Sequence, residues 1–161
     1  MSRPSSIRVA GDDFDEAIIQ HFRRAYNLLI GERMAERVKI EIGSAFPFDE
    51  EKNLPVKGRD LVSGLPKTFT LSSYEIRDAL SDTLQSIITT IRSTLEETPP
   101  ELSGDILRDG ITLTGGGALL YGIEKRISNA AFYDANLADC EEITIPFRDK
   151  NIRQVYHLYM V

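Results

Sequence analysis

Residues 30–45 read IGERMAERVKIEIGSA. Three apolar residues in this stretch recur at helical spacing and fall on one stripe: Ala35, Val38 and Ile42. Gly43 stands where a glycine in the left-handed conformation would end the helix. Glu36 and Lys39 are three residues apart and therefore share an adjacent face. The stretch predicts an amphipathic helix that carries a pair of opposite charges beside its buried stripe.

The pair of charges is compatible with two roles. Glu36 could point its carboxylate at ribose hydroxyls, and Lys39 could lay its aliphatic stem or its ammonium beside a purine base. The same pair could be a solvent-exposed ion pair, which contributes only about 0.2–0.5 kcal/mol to stability. The spacing alone favours the ion pair.

The residues before this stretch predict another helix, which begins at Asp12 and Asp13 and ends near Gly31. Its apolar positions recur at helical spacing: Phe14, Ala17, Ile18, Phe22, Ala25, Leu28 and Leu29. Asp15 and Glu16 add to the acidic residues of its first turns. Carboxylates at a helix start interact favourably with the exposed amides, and no flanking pattern resembles a calcium loop. Helix capping therefore explains the acidic group better than a catalytic or cation site does.

From Phe46 to Leu71 the prolines, glycines and short alternating stretches predict small strands and turns. Ser72 and Glu75 match the pattern of a capping box. The apolar residues that follow mark one long amphipathic helix: Ile76, Leu80, Leu84, Ile87, Ile91 and Leu95. Pro99 ends that helix, and a short helix is predicted from Pro100 to Leu107.

The next segment predicts a strand, a glycine turn and a helix. The strand is Ile111–Thr114, the turn is Gly115–Gly117, and the helix runs from Ala118 to Ile127. Glycines let backbone amides approach a ligand closely, but the spacing matches neither common nucleotide-binding glycine motif, so by itself it favours a tight structural turn. Two further extended pieces are predicted, at residues 142–147 and 154–160.

The composition of the 161 residues excludes several classes of protein. With 25 acidic and 19 basic residues the net charge is -6, which argues against a nucleic-acid partner. The single cysteine, Cys140, and the two histidines, His21 and His157, predict no intrachain disulfide, no metal site and no catalytic triad. No run approaches the roughly 20 apolar residues of a membrane span, and the polar start lacks the apolar core of a signal peptide. We therefore expect a cytoplasmic protein with no catalytic residue of its own.

The motifs taken together resemble the MreB/Mbl family of bacterial actin-like proteins. Beside residues 30–45, the resemblance is carried by segments that follow in the family's order: GDDFDEAI at 11–18, GRDL at 58–61, GLPK at 64–67, TPPEL at 98–102 and LTGGGALL at 113–120. The resemblance implies an α/β fold, the second lobe of an actin-like, RNase H-like ATPase. It divides the chain into a helical segment with the adenosine-side helix (1–45), a small α+β subdomain with the long helix (46–98) and a partial RNase H-like subdomain with a divergent tail (99–161).

The resemblance also implies a function. Family members are cytoskeletal ATP-binding proteins whose membrane-associated filaments control cell shape and organise peptidoglycan synthesis. The helix and the glycine turn would clasp adenosine from two sides through these residues: Glu36, Arg37, Val38, Lys39, Gly116, Gly117, Ala118 and Leu119. The implied cofactor is ATP, with Mg²⁺ in the complete family protein. The implied partners are further copies in a filament and the scaffold proteins of cell-wall synthesis, at the inner face of the membrane.

The chain departs from the family pattern in two places. Neither of the family's phosphate loops is found within it, and after Ser128 the sequence leaves the pattern. Because phosphoryl transfer depends on groups at the phosphates and Mg²⁺, we expect the adenosine half of a site and no effective ATP hydrolysis by this chain alone. Membrane contact would come only through the missing lobe or partners.

Two other hypotheses remain at this point. The first is a non-catalytic interaction module derived from the same family, which uses the small lobe and helix faces to bind a filament or a scaffold. The second is a chaperone or a sugar kinase of the same superfamily. The order and spacing of the matched segments favour the MreB type over the second.

Overall fold

The computed structural model of the chain describes residues 9, 11–102, 106, 111, 113 and 115–130. The predicted extended pieces at 142–147 and 154–160 lie outside the described residues. The predicted strand at Ile111–Thr114 and the predicted helix from Pro100 to Leu107 lie partly outside them.

The first helix, α1, spans Gly11–Tyr26 and buries Phe14, Ile18 and Phe22. The prediction that it continues to near Gly31 is wrong. Asn27 takes a left-handed conformation with φ of 50°, which breaks the helix. Leu28–Leu29 then form the short strand β1, whose Leu28 pairs with Asp60. The apolar pattern continues across the break because Leu28 is still buried in the core, although it now belongs to a strand.

A small antiparallel sheet follows the order β1-β2-β3, with β2 at Asn53–Asp60 and β3 at Pro66–Ser72. The register places Leu54 opposite Leu71 and Val56 opposite Phe69. Three residues of this face are buried in the core: Leu54, Val56 and Leu71. The prediction of small strands and turns in this part of the chain is confirmed.

The helix within the opening stretch, α2, spans Glu32–Ile42 and buries the predicted stripe, Ala35, Val38 and Ile42. The left-handed cap predicted at Gly43 is wrong, since this residue is extended, with φ of -69° and ψ of 139°. Glycine is needed here for a different reason. A Cβ at this position would lie 2.3 Å from the carbonyl oxygen of Lys39.

The predicted long helix is two helices, α3 at Ser73–Ala79 and α4 at Ser81–Glu96, which meet at Leu80. Backbone bonds from Leu80 to Ile76 and from Leu84 to Leu80 maintain the four-residue spacing across the break. The apolar periodicity therefore continues through it and hides it. Ser72 caps α3 by accepting from the Glu75 amide at 3.3 Å, which confirms half of the predicted capping box.

The helix predicted from Ala118 to Ile127 is also two pieces. A 3-10 turn spans Gly116–Leu119, and the helix α5 spans Ile123–Ser128. Between them Gly122 is left-handed, with φ of 70°. Leu120, which follows the 3-10 turn, and Ile123 and Ile127 of α5 join one core that α1, α2, the sheet, α3 and α4 share. None of the described helices combines the length and the apolar character needed to cross a lipid bilayer.

Candidate functional site

The four candidate residues of α2 face three different environments. Glu36 is exposed. Arg37 is also exposed, and its Nε donates to Glu41 Oε1 at 2.6 Å, one helical turn further on. Val38 is fully buried in the core, so only its backbone is available to a ligand. Lys39 lies between these extremes and is half-buried.

Lys39 turns away from Glu36 and towards α1. Its ammonium donates to Asp15 Oδ2 at 2.9 Å and to the carbonyl oxygen of Gly11 at 3.1 Å. The ion pair expected between Glu36 and Lys39 is therefore wrong, because the lysine takes a partner 24 residues away in sequence. The chain uses this cation to join two helices.

Asp15 has a more specific environment than helix capping predicts. Lys39 Nζ lies 2.9 Å from each of its two carboxylate oxygens, but the geometry makes a hydrogen bond to Oδ2 alone. Oδ1 is buried, and no donor in the described part of the chain bonds to it. The carboxylate thus depends on one ammonium for compensation of its charge.

The glycine turn offers backbone in place of side chains. Gly116 is exposed, and a Cβ added to it would meet nothing within 4 Å. A Cβ added to Gly117 would lie 3.6 Å from Phe14 Cε2, an ordinary contact. Ala118 is half-buried and donates its amide to the carbonyl of Gly115 at 2.8 Å. Leu119 is 72% exposed.

Two backbone contacts bring the glycine turn to the end of α2. Ser44 forms a parallel bridge with Tyr121, and the amide of Ala45 donates to the Tyr121 carbonyl at 2.8 Å. Gly122 packs so closely that a Cβ would lie 2.5 Å from the Cβ of Phe46. The stretch after α2 and the stretch after the glycine turn therefore run side by side.

Both predicted segments converge on the first turn of α1. Lys39 reaches Gly11 and Asp15 from one side. Gly117 approaches Phe14 from the other. Lys39 and Gly117, which are far apart in sequence, thus border the same part of α1.

A polar network supports this region from the side of α3. Arg77 donates to Ser44 Oγ at 3.3 Å and forms an ion pair with Glu51. Hydrogen bonds from Arg77 and from the Ser73 hydroxyl hold the pKa of Glu51 below its usual range. Ser44, which is fully buried, therefore joins α3 to the strand bridge with Tyr121.

A second polar cluster, between α1 and α3, has no counterpart among the predicted sites. His21 Nε2 lies 2.7 Å from Glu75 Oε1, and the Tyr26 hydroxyl donates to the same oxygen at 2.6 Å. The hydrogen bond to Glu75, together with burial and the charge of Glu75, raises the pKa of Tyr26 to about 12. Local spacing in the sequence could not predict this cluster, because His21 and Glu75 are 54 residues apart.

In the described part of the chain, no group of three or more His, Cys, Asp or Glu side chains could hold a metal ion.

Comparison with known proteins gives the family of this chain. The family model described as MreB/Mbl protein matches residues 1–144. The chain belongs to the MreB/Mbl family. It is 52% identical over 121 residues to the cell shape-determining protein MreB of Escherichia coli (strain K12). The matched stretch covers 75% of this chain and 35% of that relative. It is 50% identical over 124 residues to the cell shape-determining protein Mbl of Bacillus cereus, covering 77% and 37%.

Solved MreB structures show the same fold. MreB5 of Spiroplasma citri bound to AMPPNP superposes with a TM-score of 0.73 at 40% identity, over 81% of this chain and 44% of the other. The structure of the same protein bound to ADP gives a TM-score of 0.71. The expected α/β actin-like fold is thus confirmed for a partial domain. This chain spans about a third of the length of the curated MreB and Mbl relatives.

Proposed function

We propose that this chain is part of an actin-like ATP-binding protein that forms filaments at the inner face of the membrane, controls cell shape and organises peptidoglycan synthesis. Its relatives are named cell shape-determining proteins. In this proposal the chain supplies the adenosine half of the site, while the phosphate loops, Mg²⁺ and hydrolysis belong to the rest of the assembled protein. Further copies and wall-synthesis scaffolds would be its partners. We also propose that the chain divides at residues 45 and 98 into the three parts that the family resemblance implies.

One observation carries the assignment of the site. The segment Glu36–Lys39 and the turn Gly116–Leu119 are 77 residues or more apart in sequence, yet Lys39 of the first and Gly117 of the second border the first turn of α1. One solved relative with this fold, MreB5 of Spiroplasma citri, is bound to AMPPNP in one structure and to ADP in another, which supports nucleotide as the ligand class.

The residues present fit the adenosine end of a nucleotide. Glu36 exposes a carboxylate that can accept hydrogen bonds from ribose hydroxyls. Gly116 leaves open space where a side chain would stand, so a flat base or a sugar can approach its backbone. Arg37 already pairs with Glu41 and Lys39 with Asp15. Both cations are thus neutralised locally, which suits an uncharged nucleoside better than a phosphate.

Calorimetric titration of the chain with adenosine and with ATP tests the proposal. We expect micromolar binding with similar affinity for both ligands, and loss of binding in Glu36→Ala and in Gly116→Val. Valine at position 116 has room in the folded chain, so it would block the ligand without disturbing the fold.

Two matched variants serve as controls. Gly31 also has nothing within 4 Å of an added Cβ, so Gly31→Val adds the same side chain away from the glycine turn. Glu50→Ala removes an exposed carboxylate from the loop after α2. Both should bind as the unmodified chain does. Absence of heat with a folded chain would reject independent adenosine binding.

The tip of the β2-β3 hairpin favours a second candidate function, a non-catalytic interaction module. Leu61, Val62 and Leu65 are exposed there, Val62 by 85%. The tip is held rigid because Asp60 Oδ1 accepts from the amides of Val62 and Ser63. Val62→Ser would weaken capture by a filament or a scaffold under this function and leave adenosine binding unchanged.

A further inference from the structure

Lys39 is the one candidate residue whose side chain forms an ion pair with another helix, and its partner is Asp15. Both side chains are largely withdrawn from solvent, with 18% exposure for the lysine and 16% for the aspartate. A pair of this kind has a preferred geometry, since breaking it leaves a poorly solvated charge. The position of the Lys39 stem beside the candidate site is therefore set from α1.

The charge of the ammonium is already compensated by Asp15. It lies 2.9 Å from both oxygens of Asp15 and donates to the Gly11 carbonyl at 3.1 Å. A lysine ammonium has three hydrogens, and two of them are used on α1. The aliphatic stem is the part of the side chain that can lie against a base.

Asp15 depends on the same contact. Its Oδ1 is buried, and among the described residues only the Lys39 ammonium lies near enough to compensate it. A carboxylate that served only as a helix cap would be directed at the amides of its own first turn. This one is directed at a candidate ligand-binding residue of the neighbouring helix.

We infer that Asp15 is a positioning residue of the adenosine site, which acts by anchoring Lys39 so that its stem forms one wall for the base. This inference rests on the proposed function. Asp15 itself makes no contact with the ligand. The ligand class is an uncharged purine ribonucleoside end, with the phosphates lying elsewhere.

The experiment compares Asp15→Asn, Lys39→Met and the double variant in the full chain. Adenosine affinity is measured by calorimetry and stability by thermal unfolding. Loss of an anchoring charged hydrogen bond should weaken adenosine binding roughly tenfold in each single variant. Lys39→Met also strands the buried carboxylate and lowers the melting temperature, whereas the double variant removes that charge and recovers much of the stability.

The double variant separates positioning from a purely structural role. If Asp15 positions Lys39, the double variant recovers stability while its adenosine binding stays as weak as that of the single variants. If binding recovers together with stability, the inference is overturned. Glu16→Gln, which removes an exposed carboxylate from the same helix, should change neither property.

Chemical labelling tests the anchoring of Lys39 without any nucleotide. Acylation of Lys39, followed by mass spectrometry, should be slow in the unmodified chain and several-fold faster in Asp15→Asn, because a released ammonium becomes accessible. Adenosine binding that is unchanged in Asp15→Asn would overturn the inference and leave the proposed function standing. No adenosine binding by the folded unmodified chain would overturn both, even if Lys39 is protected from acylation.

Discussion

The two halves of the candidate site are built by opposite means. The helix α2 is held by side chains, through a buried apolar stripe and the ion pair from Lys39 to Asp15. The glycine turn is held by its backbone, through the bridge from Tyr121 to Ser44 and the close approach of Gly122 to Phe46. The first half should therefore be destabilised when buried atoms are removed, and the second when atoms are added at Gly122, where the backbone packs closely.

The largest expected effect comes from removing atoms from α2. Ile42→Ala deletes a side chain that is 2% exposed, and loss of its burial together with the cavity should lower the free energy of unfolding by about 2–5 kcal/mol. Ile40→Ala makes the same change on the same helix at a residue that is 73% exposed. Its effect should stay within about 0.5 kcal/mol. Urea unfolding of both variants measures the difference, and similar losses would contradict the side-chain account of α2.

The next effect comes from adding atoms to the second half. Gly122→Ala places a Cβ 2.5 Å from Phe46 Cβ at a residue with φ of 70°. Steric crowding and left-handed strain together should destabilise the chain by about 2–4 kcal/mol. In Gly117→Ala the new Cβ would lie 3.6 Å from Phe14, with no positive φ, so little stability should be lost. Equal thermal midpoints for these two alanine variants would break the comparison.

A smaller effect tests α1, the element on which both halves rest. The pKa of Tyr26 is about 12 in the folded chain, against an ordinary value near 10. The neutral phenol is favoured by folding, so its stabilisation is complete below about pH 10 and is lost as the pH rises from about 10 to 12. Tyr26→Phe should lower stability by about 1 kcal/mol at neutral pH and reduce this alkaline loss.

The measurement for Tyr26 is unfolding by urea at neutral pH and across the alkaline range. In the described part of the chain, Glu75 and His21 are the titratable groups that face the phenol. If Tyr26→Phe lost as much stability at alkaline pH as the unmodified chain does, the loss would come from other groups.

The smallest effect concerns Arg37. Its pair with Glu41 is exposed, with 54% and 41% of the side chains accessible, so Arg37→Ala should change stability by less than about 0.5 kcal/mol. Urea unfolding measures the stability of Arg37→Ala, and titration with adenosine measures its binding separately. A large loss of stability would show that α2 depends on its surface charges as well as on its buried stripe.

The sequence predicted much of the local architecture. Apolar spacing located the buried face of α1 and the stripe of α2, and alternating stretches with turn residues located β2 and β3. The motifs from residue 11 to residue 120 were sufficient to recognise the MreB/Mbl family, which the comparison then showed. These features are local in the chain, so spacing and residue type report them directly.

The element boundaries were predicted less well. The helix pattern continued across Asn27 and across Leu80, because buried residues keep their spacing through a change of element. Gly43 ends α2 as predicted, but its predicted left-handed conformation was wrong, because this glycine is required by a close backbone approach.

By itself, the sequence determined the family, the helices and strands, and the residue types available for an adenosine site. Only the tertiary structure decided that Lys39 pairs with Asp15 instead of Glu36, that Gly122 docks against Phe46, and that His21 shares a carboxylate with Tyr26. These contacts join residues that are distant in the chain. Their partners are selected by how the helices pack, since the spacing along one helix specifies which residues share a face but not which neighbouring element that face meets.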